Sequence, residues 1–446
     1  MASFPVYGGE FSEKEAARLL WRAGFGPKPG EARALAAQGL SGAVASLLEP
    51  QDARLVGPEP VDEDGNPIAP FDLWGHDALW WIDKMVRSNQ PLVERMALNW
   101  HDWFATGDVN SARYSIAQAK LFRKRGLGSF EKLLEKVTTD KAMLVWLSGI
   151  DNTRWSPNEN YARELMELFT LGASDDSGYP YSEEDVREQA RALTGWRADW
   201  HEDVGLDNFR FDPSYHDGGT KTVFGKSGKF GWKDSCQLCL EHPAHARYFV
   251  EKLWSYFIPV PAPEATRLEL ERKYKRKYEL KPLLRAILKH PLLYEGPAMV
   301  KPPMVFIAGM LRARERGIDR DSWAWISDLA GQRPFRPPNV SGWDEERWLD
   351  TSSFRGRWIA ASYITREDEF DHEGYSTTET PAEAVDKALQ YWADPALESH
   401  TRDGLEQFGR NVEEAIEANW QRGPHRALRQ NALRILVATA PDMQTC

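Results

Sequence analysis

The sequence predicts an all-α protein, a multi-helical array with one irregular loop or small β-hairpin inserted near 200–235. Three observations predict it. Helix-capping signals recur along the chain, and apolar residues repeat at helical spacing behind them. One long polar, glycine-rich stretch breaks the pattern. The 446 residues, 42% hydrophobic and 28% charged, suffice for a sizeable core and two or three structural units. We expect a main helical domain over 1–370 that carries the principal motifs, and a C-terminal helical appendage over 371–446.

The elements follow in order. Ser12 and Glu15 form a capping box ahead of Ala16, Ala17, Leu19 and Leu20. Residues 50–70, rich in Pro and Asp, read as a loop. Asp62, Asp64 and Asn66 there faintly resemble a calcium loop, but the glycine is misplaced and the distal Glu is missing, so a plain turn is expected. Pro91 suits the first turn of a helix through Phe104. Ser156-Pro157-Asn158-Glu159 offers an N-cap, a proline at the first helical position and an acidic third position, and Gly172 stands where that helix should stop. Ser182-Glu183-Glu184-Asp185 opens the next helix, with Gly195 to close it. Further helical patterns cover 242–258, 264–279, 302–316, 381–393 and 406–440. In the break, Asn208–Phe211 and Thr220–Phe224 are expected to pair as a hairpin around Asp212–Gly219.

Composition excludes several classes of function. A net charge of −11 repels phosphate backbones, which argues against nucleic-acid binding. Arg272, Lys273, Lys275, Arg276 and Lys277 do cluster, but Glu269, Glu271 and Glu279 interleave with them as on a solvated helix. No apolar run is long enough for a membrane span. The N-terminus lacks a basic region followed by an apolar one, so a cytoplasmic location is expected by default; a leader already removed would leave the same sequence. Three cysteines cannot build a disulfide framework. There is no G-x-S-x-G elbow, P-loop, dinucleotide fingerprint or H-E-x-x-H. Cys236, Cys239, His242 and His245 have zinc-like spacing, but a three-residue step along one helix spreads four ligands too widely to meet at one ion. The 19 Trp either staple the core or build a stacking groove for sugars.

Candidate chemistry gathers in the middle of the chain. On a helix over 158–171, Glu159, Asn160, Arg163, Glu164 and Glu167 fall within one arc of about 140°, with Tyr161, Ala162, Leu165, Met166, Leu168 and Phe169 opposite. Ion pairs at i,i+4 account for part of that polar face. On the next helix, Arg187 and Arg191 either clamp an anion or neutralise the glutamates of the preceding helix. His216-Asp217 joins an imidazole to a carboxylate in a flexible loop, the chemistry of a proton carrier, of a metal ligand or of a turn cap. His101, among aromatics in Asn99-Trp100-His101-Asp102-Trp103, reads as a core histidine with a satisfied hydrogen bond.

Taken together, these motifs resemble the family called domain of unknown function 1800. LLWRAGFGP (19–27), PNENYARELMELFTLG (157–172), YSEEDVREQARALTGW (181–196), FDPSYHDGGTKTVFG (211–225) and GQRPFRPPNVSGW (331–343) carry the resemblance. HPAHARYFVEKLWSYF (242–257) and MVKPP (299–303) match more weakly, in the right order. The resemblance implies no established activity. It implies frequent export among relatives and a possible partner from an uncharacterised phosphatase- and sulfatase-like family. It places Asn160, Arg163, Glu164, Glu167, Arg191, Trp196, His216, Asp217 and Lys221 in family motifs. Many relatives carry His where this chain has Phe169, which weakens any reading that needs an imidazole there.

The working expectation is an enzyme, a metal-assisted hydrolase of a glycan or other polar polymer. Glu164 or Glu167 would act as general base, and His216 as acid/base with Asp217 as its orienter. Asn160, Arg163, Arg191, Trp196 and Lys221 would bind substrate, and His216, Asp217 and Glu164 are the candidate ligands for a divalent metal. The alternative is a non-catalytic helical scaffold whose polar motifs are internal ion-pair networks.

Overall fold

The computed structural model describes residues 4–107, 109, 111–173, 178, 180–367, 375–416 and 422–446. They are mostly helical, with two two-stranded antiparallel sheets among the described residues. Contacts group the chain into two compact units, each built from three stretches. The first unit takes in residues up to Val6, Val93–His290 and Phe335–Trp343; the second takes in Tyr7–Leu92, Pro291–Pro334 and Asp344–Cys446. The boundary expected near 370 lies outside the described residues.

The first unit is organised by stacked rings. Trp103 packs on Phe249 with centroids 5.1 Å apart, Phe249 on Phe130 at 4.5 Å, and Phe249 lies flat on Tyr274 at 4.1 Å. Phe104 meets Phe169 edge-on at 5.1 Å. Each of these rings is fully or almost fully buried, so this cluster is the core of the unit. His101 is buried too. Its Nε2 accepts the Phe335 N–H at 3.2 Å, and burial pushes the imidazole down to about 3. It is the satisfied core histidine that its aromatic setting predicts.

In the second unit the Pro303–Ala313 helix is buried at every residue and packs on the His76–Arg87 helix. The Pro381–Tyr391, Ser399–Ile416 and Gly423–Thr439 helices pack on one another, and the last also packs on the Thr351–Glu367 helix. Of the span 406–440, the described residues 406–416 lie in the Ser399–Ile416 helix and 423–439 in the Gly423–Thr439 helix, which has Pro424 in its first turn.

Local signals mostly hold. Ser12 and Glu15 close a capping box on the Glu13–Ala23 helix, and Ser182 and Asp185 do so on the Glu183–Ala192 helix. Asp62 Oδ1 accepts the backbone N–H groups of Asp64 and Asn66, which makes a plain turn. One helix start differs. The helix begins at Asn160 rather than after Ser156, because Asn152 Oδ1 holds the Asn158 N–H and Asn158 Oδ1 holds the Asn160 N–H, both at 2.9 Å.

The hairpin expectation also needs correcting. Asn208–Phe211 belongs to strand β2 (Gly205–Phe211), which pairs with β1 (Trp196–His201), not with residues 220–224. Strand β3 (Lys221–Val223) pairs with β4 (Lys226–Gly228). The cause is the two-residue turn Phe224-Gly225, with φ of 51° and 74°, which returns the chain at once.

Gly342 is a position with no room for a side chain. Its φ is +94°, and a Cβ there would lie 2.3 Å from Asp102 Oδ1, the atom that accepts the Trp343 N–H. We expect Gly342→Ala to destabilise the protein by about 2 kcal/mol, read from the urea midpoint. An unchanged midpoint would contradict this packing.

Candidate functional site

The helix that carries the glutamates is not uniform. Asn160–Glu164 is α-helical, and Leu165–Leu171 continues as a π-helix that ends at Gly172, φ +88°. A helix end leaves carbonyl oxygens without intrahelical partners. Here side chains supply them. Leu168 O accepts from Tyr248 Oη at 2.6 Å and Lys252 Nζ at 3.1 Å, Phe169 O from Trp103 Nε1 at 3.1 Å, and Thr170 O from His245 Nδ1 at 2.8 Å. His245 Nε2 then accepts from Tyr274 Oη at 2.8 Å, and burial pushes this imidazole down to about 4.

The same helical stretch carries Glu164 and Glu167. Glu164 is half-buried, and among the described residues its carboxylate has no hydrogen-bond or ion-pair partner. Burial first, and the charge of Glu167 second, raise its pKa above the ordinary glutamate value, with Arg163 offsetting part. Among the described residues, Glu167 accepts one long bond of 3.4 Å, from Tyr181 Oη. Arg163 is committed elsewhere, forking onto Glu183 at 2.9 and 2.8 Å and reaching Glu159 at 3.2 Å. Asn160 is exposed.

The His-Asp loop is held by the Glu183–Ala192 helix through residues one turn apart. Asp185 Oδ1 accepts the Phe224 N–H at 2.6 Å, and Glu188 Oε2 accepts the Thr222 N–H at 2.8 Å. Arg191 donates to Glu188 at 2.6 Å and to Asp217 Oδ2 at 2.8 Å, and Arg187 donates to Glu184. Among the described residues these arginines thus bond carboxylates of their own helix and of the loop rather than those of the preceding helix, because Glu184 and Glu188 stand one turn away at i,i+3. Asp217 Oδ1 takes the Gly219 N–H at 2.8 Å, and the buried Lys221 ammonium donates to the Asp217 carbonyl. Burial alone would raise the Asp217 carboxyl. The Arg191 bond, the Gly219 N–H and the charges of Arg191 and Lys221 outweigh it and hold the group below the ordinary range.

His216 is oriented by Thr194 rather than by Asp217. Its Nδ1 donates to Thr194 O at 2.9 Å, which leaves Nε2 as the accepting nitrogen. The loop's aromatic neighbours reach the surface. Trp155 is 65% exposed, sits 5.3 Å edge-on to Tyr215 and lies under the Arg154 guanidinium at 4.8 Å. Arg197 covers Tyr215 at 4.6 Å. Trp196 packs edge-on against Phe211 and Trp232. Five other Trp, among them Trp100 and Trp103, are fully buried core residues.

The expected site residues therefore fall into two sets. Arg191, Asp217 and Lys221 share one network next to His216, while Glu164 and Glu167 share another surface. Among the described residues, no hydrogen bond or ion pair links the two sets. Among the described residues, no three His, Cys, Asp or Glu side chains are grouped to hold a metal, so His216, Asp217 and Glu164 do not form a donor set. Burial pushes the Cys236 and Cys239 thiols up to about 12, where they stay protonated.

The sequence reading missed several residues. Thr194 lies within a quoted motif but carries no chemical signal of its own. Lys252 lies over the Trp103 ring at 4.7 Å, and burial pushes its ammonium down to about 8, with Asp102 offsetting part. Burial raises the Asp102 carboxyl, although Tyr256 Oη and the Trp343 N–H bond to it at 2.6 and 2.9 Å. The neighbouring aromatics in Asn99–Trp103 were the only available hint.

The fold and these networks define a mostly helical protein with a double-hairpin insertion clamped by an arginine–carboxylate ladder. Residues 18–445 match the family described as "Protein of unknown function (DUF1800)", and the chain belongs to it. No curated protein and no solved structure matches the chain significantly. Among the described residues no helix is long and apolar enough to cross a membrane.

The ladder predicts a pH-dependent loss. Arg191→Met leaves Asp217 and Glu188 without their guanidinium and should cost about 2 kcal/mol at pH 7. Because the folded Asp217 pKa is depressed, its contribution is present above the unfolded value of about 3.9 and is lost as pH falls through the folded one. The gap between variant and wild type in urea should therefore narrow below about pH 4. A gap that stays constant with pH would refute this assignment.

Proposed function

We propose that the protein is a hydrolase that acts by general acid–base chemistry on a glycan or other polar polymer, with Glu164 and Glu167 as the reacting pair. The observation that carries the reading is the state of Glu164. The motif residues Arg163, Asp185, Glu188, Arg191 and Asp217 are all bonded internally. Glu164 is half-buried, beside a second carboxylate, and biased towards its protonated form. That is how a general acid is tuned beside an ionised partner. In this scheme Glu164 gives its proton to the leaving oxygen as that bond breaks. Glu167 takes a proton from the water whose oxygen forms the new bond. The exposed Trp155 beside Tyr215 suits stacking against sugar rings, and His216 Nε2, with no hydrogen-bond partner among the described residues, is a second candidate base.

One observation favours the scaffold alternative. Arg191, Glu188 and Asp217 bond one another within the protein, as an architectural clamp would. In that reading the helices present a surface to a partner protein, and Glu164 has no proton to transfer.

Glu164→Gln separates the two. Against a panel of polysaccharides assayed for new reducing ends, we expect turnover to fall by about 100-fold or more. Stability should move the other way. Because the folded pKa is raised, wild-type stability declines as pH rises from the unfolded glutamate value through the folded one, and the glutamine variant escapes that decline. A variant that turns over normally, or that is less stable than wild type at pH 7, would remove Glu164 from the chemistry.

A further inference from the structure

Two motif segments that play no part in the proposed chemistry meet in the second unit. LLWRAGFGP supplies Trp21 and Pro27, and MVKPP supplies Lys301, to the wall of a cavity of about 450 Å³. The indole is wedged in place. A Cβ at Gly26 would come within 2.6 Å of its six-membered ring, and one at Gly309 within 2.3 Å. Lys301 Nζ stands 3.9 Å over that ring, and the residue is 2% exposed.

Lys301 donates to the Met443 carbonyl at 2.9 Å, and the fully buried Arg357 donates to the carbonyls of Lys301 and Trp348. Among the described residues, neither cation has a carboxylate side chain as ion-pair partner. Burial pushes Lys301 down to about 8 and Arg357 to about 9; the Cys446 carboxylate and Asp442 offset only part of the shift at Lys301. Lys301 Nζ thus has one hydrogen-bond acceptor among the described residues and keeps donor capacity for a further one.

Most other charges around the cavity are engaged. Glu13 pairs with Arg33 at 3.3 Å, Asp442 accepts from Thr401 Oγ1 and the Glu398 N–H, and Arg18 donates to the carbonyls of Gly296 and Pro297. Cys446 O on the same wall accepts from Arg22 at 3.1 and 2.6 Å, and Lys14 and Asp394 are left, with opposite signs. Asp394 and Ala393 take left-handed φ of 54° and 63°, a conformation that costs energy in residues with a Cβ.

We propose that this cavity binds a small organic anion, a carboxylate or phosphate monoester on a planar apolar body. The anionic group lies towards Lys301 and the body against Trp21. The volume suits such a molecule, the ammonium supplies the charge it needs, and the fixed indole supplies a flat face. The site is independent of Glu164 and Glu167.

Calorimetric titration of the full chain tests it with phenylacetate, phenyl phosphate, the neutral phenylacetamide and inorganic phosphate. At least one of the two aromatic anions should bind about tenfold more tightly than both the amide and inorganic phosphate. Lys301→Met and Ala17→Phe, which removes the charge and fills the cavity respectively, should each weaken it by about tenfold with the melting temperature retained. If Lys301→Met does not fold, Ala17→Phe carries the comparison. Equal binding of the amide or of inorganic phosphate, unchanged affinity in the folded variants, or no binding of either aromatic anion at millimolar concentration would overturn the proposal.

Discussion

Three successive carbonyl oxygens, those of Leu168, Phe169 and Thr170, fix the first unit around them. The π-helix stops at Gly172 and leaves them without partners in their own helix. A buried carbonyl without a partner is expensive, so other elements must reach it. His245, Tyr248 and Lys252 do so from one face of the His245–Ser255 helix, and Trp103 does so from the end of the Pro91–Trp103 helix. Gly172 allows the approach, since a Cβ there would lie 2.8 Å from the Tyr248 ring. Lys252 also brings a positive charge to the negative end of a helix, which helps to offset the burial of its ammonium.

That docking decides what the glutamates can do. With those carbonyls capped by other elements, Glu164 and Glu167 keep few bonds of their own among the described residues. Arg163, the obvious neutralising neighbour, is drawn off to Glu183 and Glu159. The polar motif residues thus divide by task. The larger group builds the clamp that seats the hairpins, and the smaller group is left with unspent hydrogen-bonding capacity. Structural ion pairs explain their own presence; a half-buried carboxyl with no partner among the described residues does not.

The division explains what the sequence could and could not reveal. Helix positions were legible because caps and apolar spacing are local, as at Ser12, Ser182 and Gly172. The helix start near Ser156 was misplaced because Asn152 and Asn158, not Ser156, hold the first free N–H groups. The hairpin was mispaired because a Phe224-Gly225 turn with two positive φ values carries only one glycine as its signal. At the site, residue types and motifs pointed to the right segments. Which carboxylate Arg191 would choose is a tertiary matter. It chose Asp217 and Glu188, so Asp217 could not serve His216, and Thr194 took that role. Lys252 and Asp102 look ordinary in sequence, since only folding buries them.

The central claim is that Glu164 is a carboxyl kept protonated beyond its ordinary range by burial and by Glu167. Carbon-13 NMR titration of the Glu164 carboxyl, in the wild type and in Glu167→Gln, measures this directly. The account predicts a Glu164 pKa above the ordinary glutamate value of about 4.3, and a downward shift when the neighbouring charge is removed. A Glu164 pKa at or below that value in the wild type, unmoved by Glu167→Gln, would contradict it.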